Sequence, residues 1–487
     1  MKKILFLLAI TCSLNLGSAT HRVALKPARY EATLRLLARQ QMDIAGADWQ
    51  AGTIEVVTDD AGLKALRALG VPLQVRDTLM ENSAAPWLDP YTDPGEMEQF
   101  LFDLAAQHPD LLEIVPLTAP LPDGQTVYAA RITHGDGPKP VFLLDAQHHA
   151  REVMTPEIAL DAVEVLVTRY GTDAQVTRWV DGIEIWIVPS VNPDGAAFVF
   201  NQNYNWRKNR YRCSPGYGVD LNRNYPFSWD ACHGSSGVCA DPYQGETYRG
   251  ASAGSEPETK GMIALMHAVK PVFYLTYHSF GQYILWPYGC DYSAEDDTYR
   301  EIGEALNDIL EDDNGVTGRY RIGTSFDVLY TTDGTSDDEP YARLGTFAYC
   351  IEVNSDRAGG FQPDYDKWRD ATVQRQRTAW MFFLDQTLDG PLVRGTVRNT
   401  LTRRPAAGVV LTVEGLDFTT GESPRTTDSD GRYFFVGQRG MTYTLSFSSA
   451  GAAPVVRTVT LGEGPVDLDV DLAPLPASVA GPLVVLK

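Results

Sequence analysis

Residues 145–157, DAQHHAREVMTPE, set two adjacent histidines, an arginine and a glutamate directly after the apolar run PVFLL at 140–144. Imidazoles and carboxylates are the ligands of catalytic zinc, which takes about three protein donors and keeps one position open for water. Glu152 follows His149 by three residues and His148 by four, and either spacing brings the pair to one face of a first helical turn. Spacing alone does not choose between the two histidines, and an ordinary hydrogen-bonded His-x-x-Glu pair has the same pattern. A third donor must come from far along the chain. Of the eight histidines, His278 qualifies, because it ends the strand-like run PVFYLTY as HHARE ends PVFLLDA. Open α/β sheets bind ligands at the C-terminal ends of their strands, so two strand-end histidines can meet in one crevice.

The elements that must position these groups form an α/β domain expected over 86–389. Apolar strands (PVFLLDA, GIEIWIVPSV, PVFYLTYHS, TFAYCIEV) alternate with helical stretches such as PEIALDAVEVLVTRY, the texture of a mixed, mostly parallel sheet with helices on both faces. Its first helix opens at Asp93 as N-cap with Pro94 in the first turn, and Met97, Phe100, Leu101, Leu104 and Ala105 make one face. Before it, residues 20–85 read as a small α+β unit of βαβ type, ending in the polar segment ENSAAP at 81–86 that invites proteolysis. After it, residues 390–475 carry short period-2 runs between Gly, Asp and Ser turns, the pattern of an all-β sandwich, followed by a tail over 476–487. DSDG at 428–431 reads as a hairpin turn in preference to a calcium loop.

Residues 1–19 have the form of a secretory leader: Lys2 and Lys3, then ILFLLAI, then small residues before a cut after Ala19. Later apolar runs fall short of the roughly 18 residues of a membrane span. The expected location is therefore secreted or periplasmic. With 63 acidic against 41 basic residues, a formal charge of -22 argues against nucleic acid as a partner. An oxidising compartment allows disulfides among Cys213, Cys232, Cys239 and Cys290, and Cys350 in FAYCIEV is the expected buried thiol.

At these residues the chain resembles the zinc metallocarboxypeptidases of the carboxypeptidase A, B and T type, over about 87–389. The family's HARE motif implies His149 and Glu152 as ligands and leaves His148 as a neighbour. Its later His-Ser implies His278, although Phe280 stands where members have a tyrosine. The resemblance implies one Zn2+ per chain and Glu352, at the end of FAYCIEV, as the general base that moves a proton from the attacking water to the leaving amine. A carboxylate partly buried at a strand end suits that task, since burial raises its pKa. WRK implies Arg207 as the cation for the developing oxyanion. GVDLNRNYPFSW implies Asn222 and Arg223 as the clamp on a free C-terminal carboxylate, for which a guanidinium is the natural receptor. Asp220 is implied as the carboxylate that orients the first histidine, Arg151 as a substrate contact, and Tyr330, 22 residues before Glu352, as the mobile tyrosine.

In the same register, the base of the specificity pocket falls on Asp337, where a carboxylate favours C-terminal Arg or Lys. Asp333 and Asp338 beside it allow a polar surface turn instead, with mixed specificity. Residues 20–85 resemble inhibitory pro-segments, which implies a zymogen, and the sandwich resembles transthyretin-like accessory domains. The resemblance also implies a Cys213–Cys239 disulfide, leaving Cys232 to pair with Cys290 or to close a short loop with Cys239. The expected partners are peptide C-termini and the expected state a monomer. A zinc amidase acting on cell-wall peptides or acyl-amino acids is the alternative enzyme, and a zinc-dependent binding protein the alternative outside catalysis.

Overall fold

The computed structural model describes residues 19–79, 85–213, 216–239, 245–417 and 421–475. The expected leader up to residue 18, positions 81–84 of the proteolysis segment and the tail from 476 lie outside the described residues.

The N-terminal unit runs β1 (Thr20–Leu25), α1 (Tyr30–Arg39), β2 (Asp43–Asp48), β3 (Thr53–Thr58), α2 (Asp60–Ala68) and β4 (Leu73–Leu79). Its strands pair in the order β2-β3-β1-β4, antiparallel throughout, so the two βαβ units interleave as a split βαβ. Leu34, Leu37, Leu63 and Leu66 of the helices pack on Val23, Ile54 and Val56. Each such burial contributes roughly 1.5–3 kcal/mol. The pattern of alternating apolar residues marks GTIEVVT and PLQVR as strands. It misses β2, DIAGAD, whose alanines, glycine and aspartates have low strand propensity and which tertiary contact selects.

The second unit comprises α3 (Pro94–Gln107), β5 (Leu112–Pro116), β6 (Tyr128–Ile132), β7 (Val141–Ala146), α4 (Met154–Thr168), α5 (Ala174–Gly182), β8 (Glu184–Val188), α6 (Pro193–Asn201), α7 (Pro257–Val269), β9 (Phe273–Ser279), β10 (Tyr283–Trp286), α8 (Asp296–Asn307), β11 (Arg321–Thr324), α9 (Ser325–Val328), α10 (Asp338–Leu344), β12 (Phe347–Val353) and α11 (Tyr365–Asp389). Its eight strands order as β11-β10-β12-β9-β7-β8-β6-β5. The block β12-β9-β7-β8 is parallel, and the β10–β12, β6–β8 and β5–β6 pairs are antiparallel. Alternation along the central strands feeds two cores: Phe142, Leu144 and Leu275 face α4 and α11, while Leu143, Tyr274 and Ala348 face α7. Helix α3 opens with a reciprocal capping box between Asp93 and Glu96, with Pro94 inside the first turn.

The third unit packs one sheet of β13 (Leu392–Asn399), β16 (Arg432–Val436), β19 (Val466–Asp467) and β20 (Val470–Leu472) on another of β14 (Val410–Val413), β15 (Arg425–Thr426), β17 (Thr442–Ser448) and β18 (Val455–Thr460). Val393, Val397, Leu411, Phe435 and Phe447 fill the space between. The DSDG segment is a turn: Asp428 accepts from the amides of Asp430 and Arg432, and Gly431 takes φ +70°.

Candidate metal centre and its cleft

Strand β7 ends at Ala146, and Gln147 then takes φ +58°, a left-handed turn that delivers His148 and His149 at the strand's C-terminal end. The pair His149 and Glu152 sits in the turn before α4 and not inside the helix, closed by the Glu152 N–H to His149 C=O bond of 3.1 Å. An i to i+3 turn gives the same convergence as a first helical turn. His149 Nδ1 lies 2.6 Å from Glu152 Oε1, His278 Nδ1 lies 3.2 Å from Glu152 Oε2, and the two imidazole nitrogens are 3.1 Å apart. Two donors about 2.0–2.1 Å from a tetrahedral zinc ion stand roughly 3.3 Å apart, so this donor set fits the ion. All three residues are buried, and among the described residues they form the one His/Cys/Asp/Glu group with such spacing. His148 is turned away: its Nε2 meets the Tyr225 hydroxyl at 2.9 Å and its ring stacks on His278.

Electrostatics support a cation here. Burial opposes ionisation of Glu152, yet His149 and His278 hold it well below the usual carboxylate range. Burial lowers the pKa of His278, which keeps the imidazole neutral and able to ligate. Asp220 stands behind His149, with Oδ1 3.3 Å from Nε2, and its Oδ2 accepts from Arg207 Nε (3.1 Å) and Nη2 (2.8 Å). Burial of Asp220 is outweighed by Arg207, Arg223 and His149, which hold its pKa well down.

His149, Glu152, Arg207, Asn222, Arg223, Tyr330, Asp337 and Glu352 line one cavity beside the triad. Glu352, next to last in β12, is in register with His278 on β9, and burial together with the nearby Glu152 charge pushes its pKa up to about 8 against the pull of Arg207 and Arg223. Asn222 is fixed by the Ser336 amide, which donates to its Oδ1 at 2.7 Å, and Arg223 donates to the Asn222 carbonyl at 2.6 Å. The three neighbouring aspartates part company. Asp333 accepts from the Cys232 and Gly234 amides, Asp338 accepts from Gly289 N–H, and Asp337 alone of the three lines the cavity. All three are buried, so a surface turn does not describe them.

The sequence pattern missed what closes this cleft. Ile44, Ala45, Gly46 and Ala47 of β2 line the cavity, and a Cβ on Gly46 would meet Phe280 Cζ at 2.1 Å, so only glycine lets the strand approach. About 50 Å³ remains, room for a few waters and not for a peptide. Arg151, implied as a substrate contact, is instead held by Asp43 through bonds of 2.5 and 2.6 Å, and its guanidinium lies over Phe361. Cys350, a buried free thiol, also lines the cavity, while the disulfides are Cys213–Cys239 and Cys232–Cys290.

Residues 97–375 match the family model described as zinc carboxypeptidase. The chain belongs to the zinc carboxypeptidase family. Residues 392–473 match the carboxypeptidase regulatory-like domain, so this carboxypeptidase-family chain carries both modules. It is 31% identical over 288 residues to zinc carboxypeptidase A 1 of Anopheles gambiae (58% of this chain, 62% of that one) and 30% over 270 to carboxypeptidase A2 of Mus musculus (55% and 63%). Those matches span under two thirds of either relative's length. Carboxypeptidase B of Astacus astacus is 29% identical over 278 residues, covering 56% of this chain and 88% of its own. In fold, the chain is similar to the crystal structure of carboxypeptidase A from Helicoverpa armigera (TM-score 0.62, 23% identity, 76% of this chain and 97% of that one). It is likewise similar to that of thrombin activatable fibrinolysis inhibitor (TM-score 0.61, 21% identity, 76% and 99%).

Proposed function

We propose that this chain is an exported zinc carboxypeptidase that removes the C-terminal residue of peptides, with preference for Arg or Lys, and that residues 20–85 hold it latent until they are cut away. The observation that carries this reading is the convergence on one cavity of a His-Glu-His donor set, a carboxyl with raised pKa, and an Asn-Arg pair suited to a free α-carboxylate.

Zinc held by His149, Glu152 and His278 supplies Lewis acidity, which polarises a carbonyl and makes water nucleophilic near neutral pH. Glu352 takes the proton of the attacking water and passes it to the leaving amine. A carboxyl whose pKa lies near the working pH serves in both directions. Arg207, steadied by Asp220, offers its guanidinium to the oxyanion as charge develops there. Asn222, Arg223 and the Tyr330 phenol hold the terminal carboxylate, which makes the enzyme an exopeptidase. Burial keeps Asp337 reluctant to ionise, and an incoming guanidinium or ammonium offsets that penalty.

Latency has a direct support in β2, which occupies the cleft and takes Arg151 through Asp43. Export is supported by the leader-like residues 1–19 and the two disulfides. Among the described residues no helix is long and apolar enough to cross a membrane. The test is mass spectrometry of a peptide ending in Arg, incubated with zinc-loaded chain before and after limited proteolysis. Loss of one residue, only after the cut, is expected; an unprocessed chain with full activity sinks the latency.

A further inference from the structure

The regulatory-like sandwich touches the catalytic unit at a place with chemical consequences. Arg425, buried, donates to Glu295 Oε1 at 3.2 Å and also meets Oε2, which in turn accepts from the Tyr341 hydroxyl at 3.0 Å. Ser423 N–H donates to the Ala342 carbonyl at 2.8 Å, and Arg343 Nη1 donates to the Gly421 carbonyl at 2.5 Å. The Tyr288 hydroxyl donates to Glu422. The fit is close, since a Cβ on Gly345 would lie 2.7 Å from Arg425 Nε. Every one of these catalytic-unit partners belongs to α10, to the turn before it in space, or to the N-cap of α8.

That turn and that helix frame the specificity pocket. Gly289, next to Tyr288, accepts from Thr332 N–H at 2.9 Å and donates to the Asp338 carboxylate at 3.1 Å. Thr332 and Asp337 line the cavity, and Asp337 is the residue from which α10 starts. The Tyr288 ring stacks on Phe227 at 4.7 Å and leans on Tyr341 at 5.3 Å, which ties the turn to the helix. A path of hydrogen bonds and chain neighbours therefore runs from Glu422 through Tyr288 and Gly289 to Thr332 and to Asp338 beside Asp337, and from Arg425 through Glu295 and Tyr341 to α10.

We propose that Glu422 and Arg425 of the sandwich are positioning residues for the specificity pocket, holding Thr332 and Asp337 in place through Tyr288 and α10. The accessory domain then sets which C-terminal side chain is accepted. This rests on the reading that Asp337 receives that side chain.

The test has two arms. In the full chain, hydrogen exchange is followed in Glu422→Met, Tyr288→Phe, the double variant, Arg425→Met and Arg425→Lys. Faster exchange over 287–291 and 329–338, with β7, β9 and β12 unchanged, is expected. The double variant should add little to Glu422→Met alone, and Arg425→Lys should recover part of the protection lost in Arg425→Met. After limited proteolysis, KM for an Arg-terminated peptide should rise about three- to tenfold with kcat nearly constant, while KM for a Phe-terminated peptide stays. Exchange that changes only over 421–426, or variants with unaltered exchange and unaltered Arg-to-Phe preference, overturn the inference. Should Arg425→Met fail to fold, Glu422→Met and Tyr288→Phe decide, because the first removes the acceptor and the second the donor of the same bond, each with little change of side-chain volume. Failure of the unmutated, processed chain to cut any peptide contradicts the carboxypeptidase reading instead, and the exchange arm still decides the coupling.

Discussion

Substituting Asp43→Ala should release the catalytic unit without any proteolysis. Asp43 and Arg151 are both buried and share two charge-assisted bonds of 2.5 and 2.6 Å. Removing one partner of a buried ion pair costs about 3–5 kcal/mol, because the remaining charge is left dry. Undocking of the N-terminal unit returns Arg151 to water, so the whole cost falls on the docked state. At about 1.36 kcal/mol per decade, the undocked fraction rises roughly 150- to 5,000-fold. Other docking contacts, such as the Tyr283 hydroxyl on the Ala47 carbonyl (2.7 Å) and Asp356 N–H on Asp48 (3.0 Å), are untouched by the substitution, and the unit's own core of Leu34, Leu37, Leu63 and Leu66 on Val23, Ile54 and Val56 keeps it folded. The assay is the rate of unprocessed chain on an Arg-terminated substrate, divided by the rate after proteolysis. That ratio should climb by two orders of magnitude or more until it saturates near one. Processed enzyme from the variant is an internal control, since residue 43 has been removed from it. An unprocessed Asp43→Ala chain as silent as the parent would refute the latch.

Three further outcomes follow from the same geometry. Asp337→Asn should lower kcat/KM for Arg-terminated peptides by about 10²-fold or more and leave Phe-terminated ones nearly untouched, read from competition between the two. Glu352→Gln should cut kcat by about 10²–10⁴-fold while metal analysis still finds one zinc per chain. Glu258, which accepts from Asn209 Nδ2, has its pKa pushed up to about 8 by burial and by Glu256, so the folded chain favours its neutral form. Its ionisation therefore leaves stability intact below about pH 4.5 and removes it progressively as pH rises towards 8, by up to a few kcal/mol. Glu258→Gln should match the parent at pH 5 and exceed it at pH 8 in denaturant titrations. Equal gains at both pH values would contradict the assignment.

The sequence made the catalytic unit legible because its chemistry sits at the ends of long apolar strands. FYLTYHS and FAYCIEV are buried along almost their whole length, and their next-to-last residues His278 and Glu352 pair in register. The choice between His148 and His149 needed family likeness, since spacing fits both and only the left-handed turn at Gln147 aims one at Glu152 and the other at Tyr225. DIAGAD was opaque for a physical reason. Its small residues are chosen by the close passage of Gly46 over Phe280, a contact between positions 234 residues apart that no local pattern encodes. Similarly, DGTSDDEP reads locally as a polar turn, and only the partners of Asp333 and Asp338 leave Asp337 facing the cavity. The Cys232–Cys290 pairing likewise depends on the turn at Tyr288 being brought beside residues 232–234.

The central claim is release of a C-terminal residue by a metal held at His149, Glu152 and His278, with the free carboxylate clamped by Asn222 and Arg223. Its most direct test is one experiment on the processed chain: two peptides ending in Arg, one with a free and one with an amidated C-terminus, each with and without a chelator. Release of Arg from the free-carboxylate peptide alone, abolished by chelator and restored by zinc, is the result expected. Equal cleavage of the amidated peptide, or release that persists after the metal is removed, would contradict the account.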